Sequence, residues 1–300
     1  MRTKTYLFAL MTMALTLGSC SADENGIGGE TSKYITVSTS IGNMTRVATD
    51  ENGGQKFEDG DEISVYAWTG APTVAPETSE RVVNNAINKL TNGSWVSTPQ
   101  MLWKNNREKH YFIGVYPTAA ISDLSAGEYT FDANKQTESD LLVAVNPDGL
   151  SYSADAQQTV PLTFTHVMAK LAVNLTYKNQ WGGIPTVEKV VVGNAAKEAT
   201  INYLTKVVTP STTAKEDFSL PEITENTKYV SVIIPQEDVK QLTIVIGGKN
   251  FVYDNGTPFK LESGKITTVN LEVGRDEIKL GDVKITDWED GSTFGGEALN

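Results

Sequence analysis

Residues 34–41 read YITVSTSI. Ile35, Val37, Thr39 and Ile41 fall on one side of an extended chain, and Tyr34, Thr36, Ser38 and Ser40 on the other. Period two, in a run rich in β-branched residues, is the pattern of a half-buried strand. The pattern recurs downstream. Short strand patterns with turn signals between them follow as EISVYAW, KHYFIGVYP, EYTFDA and DLLVAV, then as the long pair TVPLTFTHVMAKLAVNLTY. Beyond residue 180 come VEKVVVGN, EATINYL, KVVTP, YVSVIIP, LTIVIGG, KNFVYD, ITTVNLEV and EIKLGDVKITDW. Closely spaced strands without long helical patterns predict an all-β chain of antiparallel sandwiches. SERVVNNAINKL (79–90) is the single stretch that reads as a helix. Val82, Val83, Ala86, Ile87 and Leu90 form its stripe, and Ser79 could cap it.

A chain of 300 residues exceeds one average domain, so two tandem domains are expected, dividing near 165–170. The formal net charge is −12, and no Lys/Arg-rich run interrupts it, which argues against nucleic-acid binding.

The N-terminus has the layout of an export signal, with Arg2 and Lys4 followed by an apolar run from Tyr6 to Gly18. That run is shorter than the roughly 20 residues of a membrane span. It ends at Leu17-Gly18-Ser19-Cys20, which contains the chain's single cysteine. This segment resembles the lipobox of bacterial lipoproteins. The resemblance implies a signal peptide over 1–19, cleavage between Ser19 and Cys20, and lipidation of Cys20. Several acyl chains, at ~0.8 kcal/mol per buried CH₂, make such an anchor essentially permanent. A plain secretory signal with an incidental cysteine is the alternative. Ser21-Ala22-Asp23-Glu24 also resembles the short acidic signals that send some lipoproteins of Bacteroidetes to the outer face of the outer membrane. Residues 21–32 are polar and Gly-rich, as in a tether.

Six stretches then occur in a characteristic order: FEDGDEISVYAW (57–68), HYFIGVYP (110–117), DLLVA (140–144), LTFTHVMAKLAVNL (162–175), LESGKITTVNLEVG (261–274) and VKITDWEDG (283–291). Together they resemble the fimbrillin-like proteins of Bacteroidetes, the pilins of the type V pilus, from about residue 33 to 295. The resemblance implies two transthyretin-like β-sandwich domains, here 47–166 and 167–300, after a lipidated tether and removable first strand at 20–46. It implies a lipoprotein precursor that a trypsin-like protease trims after an Arg behind the first strand. It also implies polymerisation, in which a neighbour's C-terminal strand fills the groove left behind.

Arg46 is the only Lys or Arg between Lys33 and Lys56, so cleavage is expected between Arg46 and Val47. An ordinary loop arginine is the other reading. Losing the first strand would withdraw Ile35, Val37 and Ile41 and leave an apolar groove beside unpaired backbone. The candidate donor is the tail. Ile278 and Leu280 alternate, Gly281-Asp282 shifts the phase, and Val283 and Ile285 alternate again, with Trp288 beyond. This reads as two short strands joined by a break. The same tail could instead complete its own domain's sheet.

No sequence signature of catalysis stands out. His110 and His166 lack a nucleophile or a metal-ligand spacing, and structural roles are expected for both. Residues 58–62 (EDGDE) cluster carboxylates without the ladder of a calcium loop, and read as a turn entering a strand. Tryptophans 68, 95, 103, 181 and 288 are expected to pack rather than to form sugar platforms.

The expected function is a non-enzymatic structural or accessory subunit of a surface fimbria supporting adhesion. It would need no cofactor and no metal. Its partners would be other pilin subunits, the maturation protease and, before trimming, the outer membrane. The alternatives are a permanently anchored lipoprotein that binds glycan or host protein and, more remotely, a glycan-processing enzyme.

Overall fold

A computed structural model describes residues 33–42, 56–153, 158–254 and 256–288. Eight strands make up the first part: β1 (Thr36–Ile41), β2 (Glu62–Thr69), β3 (Val83–Thr91), β4 (Ser94–Thr98), β5 (His110–Tyr116), β6 (Gly127–Thr130), β7 (Leu142–Leu150) and β8 (Thr159–His166). Then follow β9 (Ala169–Tyr177), β10 (Val187–Ala196), β11 (Glu198–Asn202), β12 (Val207–Pro210), β13 (Lys215–Leu220) and β14 (Glu222–Thr224). The last are β15 (Lys228–Ile233), β16 (Gln241–Ile246), β17 (Lys249–Asp254), β18 (Lys265–Val273) and β19 (Ile278–Asp287). The protein is all-β. Among the described residues the only helical turn is a 3₁₀ turn at Thr78–Glu80.

The first sheet has the order β1-β8-β7-β5-β2-β3-β4. Its two ends meet. Ile35 N–H donates to Met101 O at 2.9 Å, Trp103 N–H to Lys33 O at 3.2 Å, and Trp95 Nε1 to Thr39 Oγ1 at 3.0 Å. The sheet therefore rolls around an apolar core that includes Ile35, Val37, Val65, Ala67, Phe112, Leu162 and Phe164. Gly114 on β5 lets this core close. A Cβ there would lie 2.6 Å from Cζ of Phe164.

The opposite face of the same sheet, with Tyr66, Trp68, Ile113 and Val143, joins a second core. That core lies between a five-stranded sheet (β14-β15-β9-β18-β19) and a four-stranded one (β13-β10-β16-β17). A three-stranded sheet, β12-β11-β6, carries β6 across to the later strands. Between β8 and β9 lie only Val167 and Met168.

Two features depart from the sequence reading. The expected antiparallel pairing has two exceptions, since β1–β8 and β9–β18 are parallel. Parallel neighbours need a crossover, and in both cases the intervening chain builds other strands first. The predicted helix at 79–90 is instead β3. Val65 faces Ala86 and Ala67 faces Val83, so Asn84 and Asn85 oppose the single residue Tyr66. Asn85 has φ 56°. This β-bulge puts Val83, Ala86 and Asn88 on the buried side, and the three-residue step imitates a helical stripe. Strands β4, β13 and β14 are short and have no conspicuous apolar alternation, and the sequence pattern does not single them out.

Candidate strand-exchange site

Strand β1 forms one wall of the site. Ile35, Val37 and Ile41 are almost fully buried, while Tyr34, Ser38 and Ser40 face water. At the usual value for an apolar side chain, each of the three contributes roughly 2 kcal/mol. β1 pairs with β8 at six positions, from Thr36↔Thr159 to Ile41↔Phe164. Polar contacts run along the outer face, where Thr36 and Thr159 hydroxyls lie 3.2 Å apart and Ser40 Oγ donates to Thr163 Oγ1 at 3.2 Å. On the other side of β1 a cleft of about 690 Å³ opens toward Phe57, Leu90 and Trp95. Strand β1 is thus an edge element whose side chains complete a core that later strands build.

The tail forms the second part. β19 is one strand of ten residues, not two strands with a break. Val269 faces Val283 and Leu271 faces Leu280, so Gly281 and Asp282 together oppose Asn270. This bulge accounts for the phase shift in the sequence and keeps the apolar residues in one row. Ile278, Leu280, Val283 and Ile285 sit directly opposite Val273, Leu271, Val269 and Thr267, on the core-side face of the sheet. The tail residues lie at the open edge, with Leu280 36%, Val283 37% and Ile285 40% exposed. In this subunit the tail completes its own sheet.

Trp288 closes that docking. Its backbone N–H donates to Gly264 O at 3.0 Å. Its indole stacks on the imidazole of His166, and Lys170 Nζ lies 4.0 Å from the ring centroid. His166 Nδ1 is 2.8 Å from Asp140 Oδ1. Cys20, Ser19, Arg46 and Val47 lie outside the described residues.

A protein-family model described as Fimbrillin-like matches residues 45–288. The chain belongs to the fimbrillin-like family. The matched span begins at Thr45, beyond β1, and ends at Trp288. Among solved structures, this fimbrillin-like chain resembles a proposed cell adhesion protein from Bacteroides ovatus, with 18% identity and a TM-score of 0.62. The match covers 85% of this chain and 98% of that one. A proposed cell adhesion protein from Bacteroides uniformis aligns at 17% identity and TM-score 0.60, covering 86% and 100%. A fimbrial protein from Bacteroides vulgatus aligns at 13% identity and TM-score 0.51, covering 84% and 99%. At these identities the likeness is one of fold. No curated protein matches the chain.

Other polar groups of this fimbrillin-like chain hold loops in place. Asp59 accepts from the N–H groups of Asn92 and Gly93 at 3.0 and 3.1 Å, pinning the β3–β4 hairpin tip, and Asp61 accepts from Glu58 N–H at 2.7 Å. Among the described residues no group of three His, Cys, Asp or Glu could hold a metal ion. His110 is fully buried and accepts from Lys104 N–H through Nε2 at 3.1 Å. That bond requires the neutral ring with the proton on Nδ1, which faces Glu108 O at 3.2 Å. Desolvation by burial lowers the pKa of His110 below that of an exposed imidazole. Trp68 and Trp288 are buried, and Trp95, Trp103 and Trp181 pack against the two cores.

The contact between His166 and Trp288 is the part that sequence reasoning missed. Each residue was visible, but nothing in a linear pattern ties the end of β8 to the end of the tail.

Proposed function

We propose that this fimbrillin-like chain is a structural or accessory subunit of a cell-surface fimbria that supports adhesion. It is made as a lipoprotein anchored at Cys20 in the outer membrane and exposed at the surface. A trypsin-like protease cuts it between Arg46 and Val47, and its acceptor and donor domains are 47–166 and 167–300. Loss of β1 opens the groove left by Ile35, Val37 and Ile41. The β19 tail of another subunit, carrying Ile278, Leu280, Val283, Ile285 and Trp288, then fills it. Membership in the fimbrillin-like family supports the fimbrial role.

The observation that carries the exchange step is an asymmetry in burial. β1 is an edge strand whose three apolar residues are buried, whereas the apolar row of β19 is more than a third exposed at Leu280, Val283 and Ile285. A strand whose apolar row is partly exposed gains burial by moving into such a groove, and an edge that loses a strand recruits another. The role requires neither catalysis nor a cofactor.

The test is N-terminal mass mapping of protein sheared from the cell surface, beside unboiled denaturing gels. The expected result is a mature start at Val47 and a ladder of polymers, both abolished by Arg46→Ala. Material that starts wholly at an acylated Cys20 and runs as monomer would overturn the proposal in favour of a permanently anchored lipoprotein.

A further inference from the structure

Strand β8 stands between the acceptor groove and the clasp on the tail. β1 pairs with it at six positions, Thr159 to Phe164. Its other neighbour, β7, pairs with it at only three, Ala144↔Phe164, Val143↔Thr165 and Leu142↔His166. Among the described residues, Thr159 to Thr163 therefore have β1 as their sole ladder partner. Val160, Leu162, Phe164 and His166 form the buried row of β8. The first three line the core that β1 completes, and the fourth carries the Trp288 stack.

The remaining holds on Trp288 lead to the same short segment. Lys170 is the second residue of β9, just beyond the Val167–Met168 connection from β8. Gly264, which accepts from Trp288 N–H, itself donates to Met168 O at 2.8 Å, and Ser263 Oγ donates to Val167 O at 2.9 Å. The His166 stack, the Lys170 contact and the Gly264 bond thus all trace to residues 166–170.

From this arrangement we infer that β1, acting through β8, keeps the tail docked on its own subunit, and that loss of β1 loosens His166 and frees the tail. The inference rests on the donor-strand reading above and adds an order of events. An untrimmed subunit hides both its groove and its donor strand. Trimming exposes the two together, so subunits do not polymerise before they are cut. β8 is the element with two states, paired or half-unpaired, that both ends bias. His166 is a positioning residue in this scheme.

Hydrogen exchange read by mass spectrometry on the uncut full chain tests the coupling without requiring cleavage or polymer. Val37→Asp loosens β1 by placing a carboxylate in its buried row, and Val37→Thr does so more mildly. Val83→Ala removes volume from the same core at a position on β3, outside β1 and β8. The expected result is about tenfold faster exchange of peptides within 278–288 in Val37→Asp, a smaller rise in Val37→Thr and none in Val83→Ala. His166→Ala should free the tail while β1 stays protected. If β1 exchanges freely in both Val37 variants while the tail remains protected, the coupling is wrong. If Val83→Ala loosens the tail equally, the effect is general destabilisation and the coupling is wrong again. Failure of strand exchange itself would show separately, as trimmed subunits that form no ladder.

Discussion

The indole of Trp288 lies flat on the imidazole of His166, with ring centroids 4.0 Å apart and an interplanar angle of 5°. One residue ends the described tail and the other ends the strand beside β1, so this contact joins the end of the tail to the strand that pairs with β1.

Trp288 should therefore stabilise the docked tail measurably. The residue is only 8% exposed, and its ring combines apolar burial, stacking and a cation–π contact with the buried Lys170. Trp288→Ala is expected to cost about 2–4 kcal/mol in denaturant unfolding of the whole chain, and Trp288→Phe about half of that. Equal losses for both would show that a smaller aromatic ring recovers nothing, so that ring burial, stacking and cation–π attraction as such do not hold the tail.

On the proposed maturation, the uncut and the trimmed forms should respond differently to changes in β1. Ile35→Ala removes a buried side chain and is expected to destabilise the untrimmed protein by about 3 kcal/mol. After cleavage behind Arg46 and departure of β1, the same substitution should have no effect on stability. Parallel thermal melts of both forms check this, and a persistent effect would mean that β1 stays in place after the cut.

Gly114 is expected to tolerate no side chain. The 2.6 Å approach of a Cβ to Cζ of Phe164, with Cδ1 of Leu162 at 3.1 Å, forces β5 and β8 apart. Gly114→Ala should lower stability by about 1–3 kcal/mol. Phe164→Leu shortens the obstructing side chain and should restore part of the loss in the double variant. Additive losses would count against a direct clash.

Stability should decline on mild acidification through His110. Its pKa is depressed in the folded chain by burial, so folding favours the neutral ring. That contribution is complete above the unfolded value of about 6.5 and is lost as pH falls from there through the folded pKa. Protonation of Nε2 also removes the acceptor for Lys104 N–H. The melting temperature should fall between pH 7 and pH 5.5, and His110→Gln should flatten that slope. An unchanged slope in the variant would assign the acid sensitivity to other groups.

The sequence by itself determined the all-β class, the strand at 34–41 and the inward row of Ile35, Val37 and Ile41, because alternation is a local property of an extended chain. It also marked the phase shift at Gly281-Asp282, which is a break in that same local rhythm. Its one helix was an artefact of the identical effect. The bulge at Asn84-Asn85 inserts a residue into β3, and Val83 and Ala86 then fall at a spacing that suits a helix as well as a bulged strand. Partnership was decided only by tertiary structure. That β1 lies parallel to β8, that β19 docks on β18 in its own subunit and that Trp288 rests on His166 all join residues far apart in the chain. Such pairings follow from how the sheets close over two cores, and the free energy of that closure is shared among many side chains rather than encoded in any one stretch.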